Sequence, residues 1–403
     1  MKQGWTYKTL GDVAEFSRGL TYSKKDEVEF SDNIVLRSNN IDLKTGKLVF
    51  DELKYLRPDF EIPLEKRLKK GSLFICMSNG SKIHLGKVAY INEDFGYAYG
   101  GFMGQITPCK EIDGHFLHYF LSSPRYKDYI KSLSAGANIN NLKFKDLALF
   151  EIGFPPLAEQ ERIVERLDGA FAQIDELKSN AERQLAEARA LFQSALTQAM
   201  QPKPGWQEKT LVNVCDIFGR IGFRGYTTKD LVSSQNDGAI SLSPSNIQNG
   251  EMDYSKRTYI SWFKYNESPE IKIFNGDILL VKTGSSYGKS ALVKDLPHEA
   301  TINPQSVVLK NFRINNEFFA YQLRTERVKK EFDQFVSGTA IPTFSQAKLG
   351  TVPIYFPGEI EQEQIVSYLN SLNNNVKDLE EINRKTAAEC DAMKQALLRQ
   401  IFE

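Results

Sequence analysis

Three parts of this 403-residue chain hold side chains in patterns that could do chemistry. The first runs from Asp277 to Ser290 and ends in Gly284-Ser285-Ser286-Tyr287-Gly288-Lys289-Ser290. A phosphate-binding loop needs four residues between its glycines, so that successive amides curl around the phosphate before a helix begins. Here three intervene, and Ala291-Leu292-Val293 reads as a strand. The counterpart, from Ser78-Asn79-Gly80 to Gly86-Lys87-Val88, holds less of the motif. Both read as hairpins with exposed polar side chains. The second part is a pair of proline strings, Phe154-Pro155-Pro156-Leu157 and Asn303-Pro304-Gln305-Ser306. An Asn/Asp-Pro-Pro-aromatic loop would hold the amino group of a flipped adenine. The first string lacks the polar acceptor, the second lacks a second proline and the aromatic, and no Gly-rich cofactor loop accompanies them. The third is His115 with His118, spaced for one helix face but with no third metal ligand nearby. With four histidines in the chain no triad can be assembled. The carboxylates near 159–165 read as a solvated helix face. No catalytic, metal or cofactor residue is assigned.

Recognition chemistry is better supplied. In the first half, Arg37, Ser38, Asn39 and Asn40 stand together, as do Ser78, Asn79 and Lys82, followed by Lys87 and by Asn138. In the second half the set is Arg220 and Arg224, then Ser243, Ser245 and Asn246, then Lys282, Thr283, Ser285, Ser286, Tyr287 and Lys289. Arg to guanine and Asn to adenine are favoured bidentate pairings on base edges. Lysines such as Lys82, Lys87 and Lys289 suit phosphates, which position a protein without specifying sequence. Ordinary polar turns use the same residue types, so each residue is a candidate DNA contact.

The elements that must position these loops come in two copies. Phe154 to Val164 returns as Phe356 to Val366, a shift of 202. Each copy opens a long Pro-free stretch with an a/d apolar seam. The first seam is Ile163, Leu167, Ala170, Ile174, Leu177, Ala181, Leu185, Ala188, Leu191 and Ala195. The second is Ile365, Leu369, Leu372, Val376, Leu379, Asn383, Ala387, Cys390, Met393 and Leu397. Some 43 residues at about 1.5 Å each predict helices of roughly 65 Å, with the second returning antiparallel to the first and a pseudo-two-fold relation between the halves. Proline brackets the first at Pro155-Pro156 and Pro202-Lys203-Pro204.

Each helix follows a mixed segment, and those segments also repeat. Gly4-Trp5 matches Gly205-Trp206, Lys70-Gly71-Ser72-Leu73 matches Asn275-Gly276-Asp277-Ile278, and Gly86-Lys87 matches Gly288-Lys289. Short apolar runs bounded by Gly, Asn and Ser predict mostly antiparallel strands, and 116–133 and 318–335 each read as a single helix. The fold class is therefore mixed α/β (α+β): two similar globular domains joined by two long antiparallel coiled-coil helices. The expected boundaries are 1–156, 157–201, 202–357 and 358–403.

Bulk properties agree. The chain is neutral overall, but 158–201 carry net −3 and 358–403 net −4, which leaves +7 on the two lobes and suits a polyanion partner. No apolar run approaches 18 residues, so no membrane span is expected. The start lacks a signal-peptide core. Four scattered cysteines fit a reduced cytoplasm.

Two lobes, each followed by a long helix opening with a Pro-Pro-x-x-Glu-Gln-type sequence, resemble the specificity subunit of a type I restriction-modification system. The resemblance covers the whole chain and is carried by Phe154–Val164, Phe356–Val366, the two Gly-Trp starts and the seams, with Pro357-Gly358 replacing Pro155-Pro156 in the second copy. It implies two target recognition domains that read a bipartite duplex target, and helices that act as spacers. It implies a non-catalytic subunit whose partners are double-stranded DNA, two modification (methyltransferase) subunits and restriction motor-nuclease subunits. S-adenosylmethionine, ATP and Mg would then belong to those partners. The alternative is a stand-alone DNA methyltransferase or nuclease with fused recognition domains.

Overall fold

The structure, a computed structural model, describes residues 2–134, 141–336 and 342–403. It divides into two compact units, Met1–Glu182 with Ile382–Glu403 and Arg183–Glu381. The long helices are Leu157–Ala199 and Glu359–Phe402, and each contributes residues to both units. Among the described residues no helix is long and apolar enough to cross a membrane.

In the first unit, strand Thr6–Thr9 pairs antiparallel with Glu151–Phe154 and so ties the start of the lobe to the strand that leads into the long helix. Thr9 stops that first strand: its N–H and hydroxyl both donate to Asp12 Oδ2, starting a short helix at Leu10. A four-stranded antiparallel sheet follows, ordered Ala14–Arg18, Met103–Pro108, Leu73–Cys76, Val88–Tyr90. A second runs Glu27–Val28, Lys54–Leu56, Asn33–Leu36, Ala98–Tyr99, with a parallel final pair. Leu73-Phe74-Ile75-Cys76 is buried on both faces, which is why it reads as an unbroken apolar run.

The second unit repeats this plan. Gln207–Thr210 pairs with Pro353–Phe356, and Asp216–Gly219, Ser306–Lys310, Ile278–Val281 and Ser290–Leu292 form the four-stranded sheet in the same order. Its second sheet has five strands: Leu231–Val232, Tyr259–Ser261, Gly238–Leu242, Ala300–Ile302 and Lys272–Ile273. It also carries a small hairpin, Ile247–Gln248 with Glu251–Met252.

The segments expected as single helices are each two. Gly114–Phe120 is followed by Pro124–Ser134, and Asn316–Leu323 by Glu326–Phe335. A hydroxyl makes each break. Ser123 Oγ donates to Phe120 O and accepts from Tyr126 N; Thr325 Oγ1 donates to Gln322 O and accepts from Val328 N. The side chain ends one helix and caps the next, and Pro124 suits a first turn.

A buried carboxamide fixes each long helix to its lobe. Gln160 is fully buried; its Oε1 accepts from Asp113 N at 2.8 Å, and its Nε2 donates to Glu111 O and Pro155 O at 2.9 and 2.8 Å. Gln362 repeats the arrangement, accepting from Asn315 N at 2.9 Å and donating to Pro357 O at 2.9 Å. About two turns further on, Tyr119 donates to Asp168 Oδ1 at 2.5 Å and Tyr321 to Asn370 Oδ1 at 2.7 Å.

Within each unit the two helices run antiparallel. In the first, Lys394 pairs with Asp175 and Lys178 with Asp391, and Leu398 and Phe402 join Leu167, Phe116 and Phe120 in one core. In the second, Arg189 pairs with Glu380, and Phe192, Leu196 and Met200 share a core with Ile365, Val366 and Leu369. The seam differs from the expected one at three residues. Leu177, Leu191 and Met393 are more than half exposed, while Lys178, Phe192 and Lys394 face inward. A lysine stem covers apolar surface while its ammonium reaches a carboxylate at the edge, so the stripe passes through lysines that an apolar count rejects.

His115 lies stacked between Tyr90 and Tyr119, with ring centroids at 4.7 and 5.0 Å, and its Nε2 is 3.4 Å from Asp168. Both ring nitrogens of His118 are shut off from solvent, against the backbone of Gly46 and Val88. Burial, followed by the neighbouring His115, pushes its pKa down to about 4. The pair is a packing feature; among the described residues no cluster of His, Cys, Asp or Glu is arranged to hold a metal.

Two stability predictions follow from these contacts. Gln160→Ala should cost about 2–4 kcal/mol in urea unfolding of the first unit, since it strands buried peptide groups and opens a cavity. Glu159→Ala, at its exposed neighbour, should stay within about 0.5 kcal/mol. For His118, the unfolded chain takes up a proton near pH 6.5 and the folded chain only near 4. Stability is therefore full above pH 6.5, falls by at most about 3 kcal/mol between 6.5 and 4, and is flat below. Urea midpoints measured across that window should lose this slope in His118→Gln.

Candidate nucleic-acid interface

The loops rich in Arg, Asn, Ser and Lys occupy matching places in the two lobes. The first follows the inner strand of the second sheet. Residues 37–40 and 243–246 each turn through a 3-10 segment, Ser38–Asn40 or Pro244–Asn246. Asn40 Oδ1 accepts from Arg37 N at 2.8 Å, and its Nδ2 donates to Val49 O and Glu52 O. Asn246 Oδ1 accepts from Ser243 N at 3.0 Å, and its Nδ2 donates to Asp253 O and Lys256 O. Both asparagines are buried, and their amides are engaged with the chain's own backbone. Their neighbours Asn39 and Ser245 are exposed.

The second loop joins the last two strands of the four-stranded sheet, one central and one at the edge. In lobe 1 it spans Met77 to Lys87, in lobe 2 Lys282 to Lys289. The same backbone bonds close both: Cys76 N to Lys87 O and Gly86 N to Cys76 O, Val281 N to Lys289 O and Gly288 N to Val281 O. Gly86 and Gly288 sit at φ +73° and +81°, where a side chain would be strained. Lys289 leads into strand Ser290–Leu292, so no helix N-terminus follows the Gly-Lys pair and a P-loop is ruled out there.

The equivalent lysines behave differently. Lys87 is half-buried, donates from Nζ to Ile41 O at 2.8 Å, and has its pKa lowered by burial. Lys289 is exposed, as is Lys82. Asn79 Nδ2 donates to Ser38 Oγ at 2.9 Å, which brings the first and second loops of lobe 1 together. Ser78 bridges to Asn141, and Thr283 to Thr343 with hydroxyls 2.9 Å apart, so a third loop flanks each hairpin. Tyr287 donates to Asp333 at 2.8 Å, and this bond raises its pKa. Ser285 is exposed; Ser286, Thr283 and Lys282 are partly so. Asn138 lies outside the described residues.

The arginines are mostly turned inward. Arg220 is nine-tenths buried, donates to Thr301 Oγ1, Ile302 O and Arg224 O, and lies over the Tyr226 ring; burial lowers its pKa. Arg224 faces Glu270 at 3.6 Å. In lobe 1 the Nε of Arg37 is buried with no partner among the described residues. The structure brings Ser38, Asn79 and Ser78 together, and it gathers Lys282, Thr283, Ser285, Ser286, Tyr287 and Lys289 on one hairpin. It places Asn40, Asn246 and Arg220 beneath the loops as braces. Sequence reasoning missed the helix-anchoring Gln160 and Gln362, although both stand in the repeated Glu-Gln-Glu string.

Comparison with known proteins follows this division. The sequence profile of the type I restriction modification DNA specificity domain matches twice, over residues 2–187 and 204–389. The type I restriction enzyme EcoKI specificity subunit of Escherichia coli (strain K12) is 29% identical over 320 residues, 76% of this chain and 68% of that protein. The StySPI specificity subunit of Salmonella potsdam is 33% identical over 202 residues, which span 49% of this chain and less than half, 43%, of its own length. A chain from a structure describing complex assembly and conformational transition of the type I R-M system superposes at TM-score 0.75 and 19% identity, covering 99% of this chain and 97% of its own. The HsdS subunit from Thermoanaerobacter tengcongensis does so at TM-score 0.56, with the same identity and coverage. At that identity the likeness is one of fold.

Proposed function

Since the chain belongs to the type I restriction modification DNA specificity family and is a DNA-recognition subunit, we propose that each lobe reads one half of a bipartite duplex target. The observation that supports this most directly is the pair of loop sets. They hang from the same backbone bonds in both lobes, yet carry different side chains at their tips: Asn79 and Lys82 in one, Ser285, Tyr287 and Lys289 in the other. Two readers on one scaffold would differ in this way. Exposed Lys82 and Lys289 meet phosphates; Ser38, Asn39 and Asn79, and Ser245, Ser285 and Ser286, face base edges.

The long helices, antiparallel within each unit, set the unread gap between the half-sites. They also dock two modification subunits. Methylation of adenine needs the base out of the stack, and the pocket for it, with S-adenosylmethionine, lies on those subunits. Motor-nuclease subunits that use ATP and Mg complete the restriction complex, in the cytoplasm. The chain itself positions and does not catalyse.

Two experiments test the reading. Replacing Lys82 and Lys289 by Ala should weaken binding about equally for all duplexes and reduce the slope of log K against log salt by about one per lysine; filter binding across a salt series reads it. Adding one heptad to both helices, between the Lys178–Asp391 and Arg189–Glu380 pairs, lengthens them by about 10 Å. Methylation mapping in cells should then show a gap wider by about three base pairs. An unchanged gap would refute the spacer role.

A further inference from the structure

The turn Gly100-Gly101-Phe102-Met103 in lobe 1 and Asn303-Pro304-Gln305-Ser306 in lobe 2 are the same piece of structure. Gly100 N donates to Leu36 O at 3.0 Å and Asn303 N to Leu242 O at 2.9 Å. Met103 N closes onto Gly100 O, and Ser306 N onto Asn303 O. In lobe 1 the carbonyl of Phe102 accepts from Met77 N and Ser78 N. In lobe 2 the carbonyl of Gln305 accepts from Lys282 N and Thr283 N. Each turn is therefore bonded to the first residues of its lobe's recognition hairpin. The side chains it presents are opposites: a phenyl ring that is 71% exposed, and an exposed carboxamide.

From this we propose that the turn reads a base in each half-site, Phe102 by apolar contact with a thymine methyl group and Gln305 by hydrogen bonds to an adenine edge. The inference rests on the DNA-recognition reading above and adds a specificity-determining position to it. A lone exposed apolar residue is ordinary on a protein surface. What distinguishes Phe102 is the rigidity of its mount and its neighbour. Arg18 Nε donates to Gly101 O at 2.9 Å, Gly19 N to Met103 O, and Leu20 N to Tyr99 O at 2.6 Å. Gly19 lies so close that a Cβ there would sit 2.1 Å from Gly100 O, so the turn is clamped from behind as well as from the hairpin. Ile83, within the hairpin loop, is a second large apolar side chain left 66% exposed. In lobe 2 the carboxamide is held instead by its own turn: Asn303 Nδ2 donates to Gln305 Oε1, and Asn303 Oδ1 accepts from Gln305 N, both at 3.1 Å. Thymine alone among the bases offers a methyl group in the major groove, and Gln pairs with adenine N6 and N7. A fixed backbone mount in both lobes, and in lobe 2 a carboxamide held by Asn303, leave less freedom to be lost on binding.

The test uses the whole subunit assembled with its modification partners. Methylated sites are sequenced, and duplexes altered one base pair at a time compete for binding. Phe102→Gln should move one position of one half-site from thymine toward adenine, Phe102→Leu should retain thymine, and Gln305→Phe should make the converse change in the other half-site. Each change in discrimination should be about tenfold. Phe102 and Gln305 are exposed, so thermal unfolding should match the parent; if the glutamine variant does not fold, Phe102→Leu against Phe102→Ala gives the same comparison. Discrimination within twofold of the parent at every base pair in all variants overturns the proposal, provided the Lys82 and Lys289 replacements do weaken binding. If those lysine replacements also leave binding untouched, the recognition reading fails first and takes this one with it.

Discussion

The architecture depends on two buried carboxamides. At the start of each long helix the chain must bury the carbonyl before the helix and a peptide N–H from the lobe, and each would be costly if left unpaired. A glutamine can donate to one and accept from the other; a glutamate, with acceptors alone, cannot. That is why Gln160 and Gln362 are buried among glutamates whose charges face solvent. The tyrosine bonds at Asp168 and Asn370 add a second fixed point further along each helix. Two points define an axis, so in each unit the helix leaves its lobe in a set direction, and the partner helix seats its own end in the same core through Phe402 or through Phe192 and Leu196.

The lobes separate what must stay from what can change. Asn40 and Asn246 spend their amides on backbone and hold the same turn in both copies. Gly86 and Gly288 supply the same left-handed corner. The residues mounted on these supports diverge: Lys87 is drawn inward where Lys289 projects, and Phe102 occupies the place of Gln305. Replacing an exposed tip residue usually changes stability by no more than about 0.5 kcal/mol, whereas a buried brace costs several times that. The exposed tips can therefore change on such a lobe while the lobe still folds.

This separation also explains what was legible in the sequence. Repeats, long helices and strand runs announce themselves through periodicity, which is local. An apolar count misplaces the seam at Leu177 and Met393 because it cannot see a lysine stem that is buried while its ammonium is not; at Leu191 the stripe moves by one residue, to buried Phe192. The broken helices carried a written signal at Ser123-Pro124, but lobe 2 breaks at Thr325 with no proline, and the aromatic periodicity ran across both. Candidate contacts and braces share their chemistry: Asn39 and Asn40 are adjacent, and only the remote carbonyls of Val49 and Glu52 decide that the second faces inward. Such partners are tertiary, and no local pattern discloses them.

The junctions between helix and lobe differ between the two copies in a matched way. In lobe 1 the helix supplies the carboxylate: Asp168 receives the Tyr119 hydroxyl and stands 3.4 Å from His115. In lobe 2, at positions shifted by 202, the helix supplies the amide and the lobe the carboxylate: Asn370 receives the Tyr321 hydroxyl and donates to Glu317 at 2.9 Å, while Lys294 approaches Glu317 from the other side. Exchanging one side alone would set Asp168 against Glu317, two carboxylates sharing one site, which disfavours the charged form of both. Each lobe is thus matched to its own helix by charge as well as by shape. A mismatch penalty of this kind favours one pairing over another when both could form, so a repeated chain whose halves have the same backbone can still tell its halves apart.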